Sequence, residues 1–128
     1  MKTKLIILLG LLTFTLTVMA GDLVGIGVVI VDKKKEGEPL RTGVVYPGSP
    51  AKRAGIKPDW YLISVDGTNV VSMSLVQSMG IMRGPIGTSV TLELADSTRS
   101  QTNKFTVKRK RMIFSGHGAD MKVEFFDH

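Results

Sequence analysis

Pro47-Gly48-Ser49-Pro50-Ala51-Lys52-Arg53-Ala54-Gly55-Ile56-Lys57-Pro58 is the stretch whose reading decides the fold. It opens on a turn pair, then sets serine at a helix N-cap and proline at the first helical position, where its missing N–H is no loss. Gly55 follows where a helix C-terminus favours a left-handed residue. The spacing predicts a short helix over residues 50–54.

Upstream, residues 42–46 read as a strand, and residues 23–31 are apolar and β-branched but interrupted by Gly25 and Gly27. That pattern predicts a loop entering a buried strand. Between them the charged run Lys33-Lys34-Lys35-Glu36-Gly37-Glu38-Pro39 reads as a solvated hairpin loop. Downstream, residues 61–65 alternate as a strand, Asp66-Gly67 supplies a hairpin turn, and Val70-Val71 resumes extended structure. Ser74 and Gln77, three apart, form a capping box that opens a helix ending at Arg83-Gly84-Pro85. Residues 90–94 and 105–107 are two more strands joined through the polar segment 96–101. Ser115-Gly116-His117-Gly118 then makes a turn, and residues 121–126 offer an extra strand.

The first twenty residues differ in kind. Lys2 and Lys4 precede an apolar run over residues 5–16, and Val18-Met19-Ala20 places small residues at the −3 and −1 positions of a cleavage site. This is the order of a secretory signal, cleaved after Ala20. The alternative is an uncleaved anchor over residues 5–20. Removing twenty of the 128 residues leaves 108, and the loss of two lysines and no acids takes the net charge from +6 to +4. The expected organisation is a signal peptide over 1–20, one domain over 21–112 and a tail over 113–128. One domain of this size leaves no room for a two-lobed enzyme. With no cysteine in the chain, disulfides, thiolate nucleophiles and cysteine zinc sites are excluded. A cysteine-free exported domain suits a bacterial periplasm. The mild basic charge, without aromatic interleaving, gives no argument for nucleic acid.

Four blocks in this order resemble a PDZ domain, of the permuted bacterial sort found in carboxyl-terminal processing proteases and high-temperature-requirement proteases. They are Gly25-Ile26-Gly27-Val28, which resembles the carboxylate-binding loop; residues 47–58; Val65-Asp66-Gly67; and Arg83-Gly84-Pro85-Ile86-Gly87-Thr88. Met73-Ser74-Leu75 favours the processing-protease branch. One departure stands out: after Lys57-Pro58 the family usually has glycine then aspartate, and this chain has Asp59-Trp60. Aspartate tolerates left-handed geometry better than most residues, so the turn is expected to survive. The resemblance implies an α+β fold, a small antiparallel β-sandwich or partly open barrel of five to six strands with two helices.

It also implies a site. Backbone N–H groups of Ile26, Gly27 and Val28, beside Gly25, would converge on a peptide carboxylate. The strand holding Val28, Val29 and Ile30 would leave an edge to which a peptide adds as a further strand. Leu75, Met79 and Met82 share one helical face and would form the opposite wall. Leucine at the place where many PDZ domains carry histidine implies apolar preference at the ligand's last residue and two before it, and two methionines imply loose selectivity. Trp60, the single tryptophan, is either a packing residue or a partner contact. Lys104, Lys108, Arg109, Lys110 and Arg111 read as a basic, solvated edge.

No catalytic residue, metal ligand or cofactor is expected, because His117 and His128 lie in the tail away from any nucleophile or metal-spaced partner. Three non-catalytic roles stay open. They are a receptor for apolar C-terminal or extended peptides, an adaptor or regulatory subunit docking on a larger exported protease or secretion complex, and a scaffold whose groove is filled by its own tail.

Overall fold

Ser49 is buried, and its Oγ accepts from the Lys52 N–H at 3.0 Å, fixing the start of helix α1 (Pro50–Ala54). Gly55, at φ 92°, ends it. This small helix sits within a larger array of strands in the computed structural model, which describes residues 23–128. The expected signal over residues 1–20 lies outside the described residues.

The strands are β1 (Leu23–Gly25), β2 (Val28–Val31), β3 (Arg41–Val45), β4 (Tyr61–Val65), β5 (Thr68–Asn69), β6 (Ser89–Ala95), β7 (Thr102–Lys108), β8 (Lys110–Ser115) and β9 (Lys122–Phe126). Helix α2 (Leu75–Met82) stands between β5 and β6. All pairings are antiparallel. One sheet runs β2-β3-β4-β6-β7, with β5 paired to β4, and a separate three-stranded sheet runs β1-β8-β9. The barrel is not closed, and the fold is the α+β arrangement the sequence implies.

The core lies in the six-stranded sheet and against α1. Leu40, Ile56, Leu62, Val65, Val70, Val90, Leu92 and Leu94 are almost wholly excluded from solvent, with Ile26, Ile30, Ala51 and Val107 beside them. Alternation does this: Val90, Leu92 and Leu94 point inward from β6, while Ser89, Thr91 and Glu93 lie opposite Lys108, Thr106 and Lys104 on the outer face.

Asp66 and Gly67, at φ 50° and 82°, make the β4–β5 hairpin turn, and the Asp66 carboxylate accepts from the Thr91 N–H at 2.8 Å. Asp59 adopts φ 63°, so the turn survives without the family's glycine. Buried Thr42 holds that turn: its Oγ1 donates to Lys57 O at 2.7 Å and accepts from Trp60 N–H at 3.0 Å.

Three expectations are corrected. Leu23–Gly25 is not loop but strand β1, whose partners Met112, Arg111 and Lys110 lie far along the chain. The strand after the Asp66-Gly67 turn is Thr68–Asn69 and stops before Val70, because the Asn69 side chain accepts from the Val71 N–H at 2.9 Å and turns the chain. Lys33 is not wholly solvated: it is half-buried, and its Nζ donates to Val71 O at 2.8 Å.

Candidate functional site

The loop between β1 and β2 is tied down through its carbonyls. Ile26 O accepts from Ala51 N–H and Gly27 O from Tyr46 N–H, each at 2.9 Å, and the Ile26 side chain is buried. Among the described residues nothing accepts from the Ile26 or Gly27 N–H. Gly27 has φ +87°, and a Cβ there would collide with Ser49 and come 2.9 Å from Phe125 Cζ. Only glycine fits.

Strand β2 pairs with β3 on one side alone, so its other edge carries no strand among the described residues. Along it Val28 is half-buried, Val29 exposed and Ile30 buried, the alternation of a strand with one face on the core. Helix α2 rests on β4. Leu75, Met79 and Met82 are half-buried and packed against the core on the helix face turned to the sheet. The loop thus leads directly into the strand with the free edge, and the proposed face of α2 is turned to the core. The Lys33–Val71 hydrogen bond ties the segment after β2 to the segment before α2.

Two residues of this region escaped the sequence reading. Ser78 lies on the same helix face as Leu75, Met79 and Met82, wholly buried, with its Oγ unpartnered among the described residues. Its small side chain lets the helix sit close to the sheet. The capping box at Ser74 and Gln77 forms as expected, with bonds of 3.0 and 3.1 Å. The helix's far end is held by a remote group instead. Arg109, expected on a solvated edge, is buried between β7 and β8, its Nε donating to Met82 O at 3.0 Å and its Nη1 to Thr88 Oγ1 at 2.8 Å and Ser89 O at 3.2 Å. Gly84 has no Cβ to obstruct the guanidinium, which would lie within 2.6 Å of one. Spacing along a basic run gives no sign that one member turns inward.

Trp60 is half-buried and tilts against Phe105, ring centroids 5.6 Å apart. That is a packing contact.

The tail strand does form, but β9 pairs with β8 in the register Met112↔Phe125 and Phe114↔Val123. It does not lie on β2, so the expectation of a groove filled by the tail is overturned: β8 offers β9 a full ladder of partners that it takes instead. Strand β8 itself runs through the expected boundary at Met112. An open depression of about 310 Å³ lies apart from the groove, between Pro47, Gly48 and Arg53 on one side and Val123, Phe125 and Phe126 on the other.

Residues 41–96 match the family model for the PDZ domain. The chain is 31% identical over 101 residues to a carboxyl-terminal-processing protease of Synechocystis sp., covering 79% of this chain and 23% of that protein. It is 43% identical over 72 residues to carboxy-terminal processing protease CtpA of Bacillus subtilis, covering 55% of this chain and 14% of that protein. It thus spans less than a quarter of either relative. Among solved structures, the PDZ domain of the carboxy-terminal protease from Vibrio cholerae, in complex with peptide, superposes with a TM-score of 0.62 at 21% identity over 73% of this chain and 99% of that one. The photosystem II D1 C-terminal processing protease superposes at 0.64 with 24% identity over 72% of this chain and 25% of that one.

Proposed function

This chain carries a PDZ domain related to those of the carboxyl-terminal processing proteases, and on that premise we propose that it is an exported, non-catalytic module binding apolar C-terminal or extended peptide segments by strand addition. The observation that carries the reading is the free edge of β2, headed by the Ile26 and Gly27 N–H groups, which are unpartnered among the described residues.

The carboxylate of a chain end supplies acceptors for those amides, and the next residues pair with β2. Alternate ligand side chains then drop toward Leu75, Met79 and Met82. Burying two apolar side chains stabilises the complex by about 1.5–3 kcal/mol each, and the ordering of the peptide offsets part of this. Affinity is therefore expected in the micromolar range, about −8 kcal/mol. The Vibrio cholerae domain, similar in fold, is in complex with peptide, which is in keeping with peptide binding by this chain.

The first test screens peptides with free C-termini, each paired with its amidated form. Preference for free apolar ends that weakens in Leu75→Lys is the expected result; indifference in every pair would remove the peptide-end reading. Export is read from residues 1–20, and N-terminal sequencing of the protein recovered from cells reports cleavage after Ala20 or an intact anchor.

A second reading is favoured by the relatives themselves, in which this domain is a minor part of a protease. The chain would then dock as an adaptor on a larger exported protease. Trp60→Ala separates the two: loss of protease capture with peptide binding intact supports the adaptor, and no effect on capture returns Trp60 to its contact with Phe105.

A further inference from the structure

We propose that the cross-strand pair Met112 and Phe125 is the platform that positions the carboxylate loop, so that tail strand β9 supports recognition of a free chain end instead of competing with it. The inference rests on the peptide-end reading above and names a part of that site not otherwise assigned.

Two glycines bracket Ile26, and each is approached by one member of a single register pair. A Cβ on Gly25 would lie 2.9 Å from Met112 Cε, and one on Gly27 would lie 2.9 Å from Phe125 Cζ. Met112 and Phe125 stand directly opposite each other on β8 and β9. Cross-strand partners share a face of their sheet, so the two side chains form one apolar shelf beneath the loop. Without side chains, Gly25 and Gly27 let the backbone settle onto that shelf.

The loop's carbonyls are bonded, but among the described residues its Ile26 and Gly27 N–H groups have no partner to fix their direction. Their aim depends on the carbonyl anchors on one side and on the shelf on the other. Phe125 also borders the open depression beside Arg53 and Gly48. The hairpin is held by further contacts as well: Lys110 pairs with Asp127 at 3.3 Å, and Phe114 meets Tyr46 edge-on at 5.7 Å. Phe126, the next residue along β9, points to the opposite face and lies under the Arg111 guanidinium. It provides an internal control, an aromatic of equal size on the same strand that does not touch the loop.

The experiment uses the full-length chain as the cell leaves it, with Phe125→Ala, Phe125→Leu and Phe126→Ala, and two readings. The first is the ratio of affinities for an apolar-ended peptide in free and amidated forms. Phe125→Ala is expected to lower affinity for the free end about 10-fold and leave the amidated form within about 2-fold, with Phe125→Leu restoring most of the ratio and Phe126→Ala leaving it unchanged. The second is the backbone order parameter of Ile26, Gly27 and Val28 without ligand, expected to fall in Phe125→Ala from about 0.85 toward 0.6.

A folded Phe125→Ala that keeps the full free-end preference overturns the proposal. If the unmutated protein shows no such preference, the peptide-end reading falls, and the order parameters alone decide whether Phe125 positions the loop. Unchanged values then overturn the platform as well. Should Phe125→Ala fail to fold, Phe125→Val is judged by the same two readings.

Discussion

The two sheets divide their work unequally. Every member of the buried core cluster lies between Ile26 and Val107, in or against the six-stranded sheet, and none comes from β1, β8 or β9. The three-stranded sheet instead presents Met112 and Phe125 to the loop at the head of the groove. Building the core and backing the loop therefore fall to different sheets. Arg109 stands at the join, between the last strand of one sheet and the second of the other, and ties that join to α2.

The contrast is broken or sharpened by substitution. Leu62→Ala, in the middle of β4 and wholly buried, is expected to lower unfolding free energy by about 2–5 kcal/mol in denaturant titration. Arg109→Met removes the donor to three acceptors, so about 2–3 kcal/mol should be lost, with groove affinity falling as the end of α2 loosens. Deleting residues 121–128 removes only half-buried or exposed side chains and is expected to cost about 1–2 kcal/mol while weakening peptide binding. A loss as large as that of Leu62→Ala would end the division of labour, and a gain in peptide binding would restore the tail-filled groove. Ser78→Ala deletes a buried, unpartnered hydroxyl beneath α2 and should raise stability by about 0.5–1 kcal/mol in the same assay.

The smallest effect is electrostatic and lies far from both sites. The Thr98 hydroxyl, followed by the Ser100 hydroxyl and backbone bonds, holds Asp96 below the ordinary aspartate value of 3.8. A depressed carboxyl pKa stabilises the fold above the ordinary value, and this contribution is lost as pH falls through the folded one. A carboxyl titration by NMR should therefore give Asp96 a midpoint under 3.8, with the β6–β7 hairpin loosening as it protonates.

Much of this was legible because its causes are local. Ser49 and Gly55 bound α1, Ser74 and Gln77 open α2, and Asp66-Gly67 sets its turn, each within a few residues of what it controls. The proposed groove residues Gly25, Ile26, Gly27, Val28, Leu75, Met79 and Met82 rest on family pattern and helical spacing, and of these cues the structure bears on one: Leu75, Met79 and Met82 do share the helix face packed on the core. What stayed hidden depends on distant partners. Leu23–Gly25 becomes a strand only because residues 110–112 are there to pair with it. Arg109 looks like its basic neighbours until α2's last carbonyl is placed beside it, and Phe125 looks like one more apolar residue of a tail.

The order β1-β8-β9 has a mechanical side. Each outer strand is antiparallel to β8, so β1 and β9 run parallel to one another, and the chain reaches Leu23 and departs from Phe126 in opposite directions along the sheet. A load applied between the two ends of the domain pulls both ladders lengthwise and strains their backbone bonds together instead of peeling them one by one. Resistance to such a pull is set by the rate of forced unfolding and not by equilibrium stability. The sheet that adds nothing to the core is the one that would bear the tension.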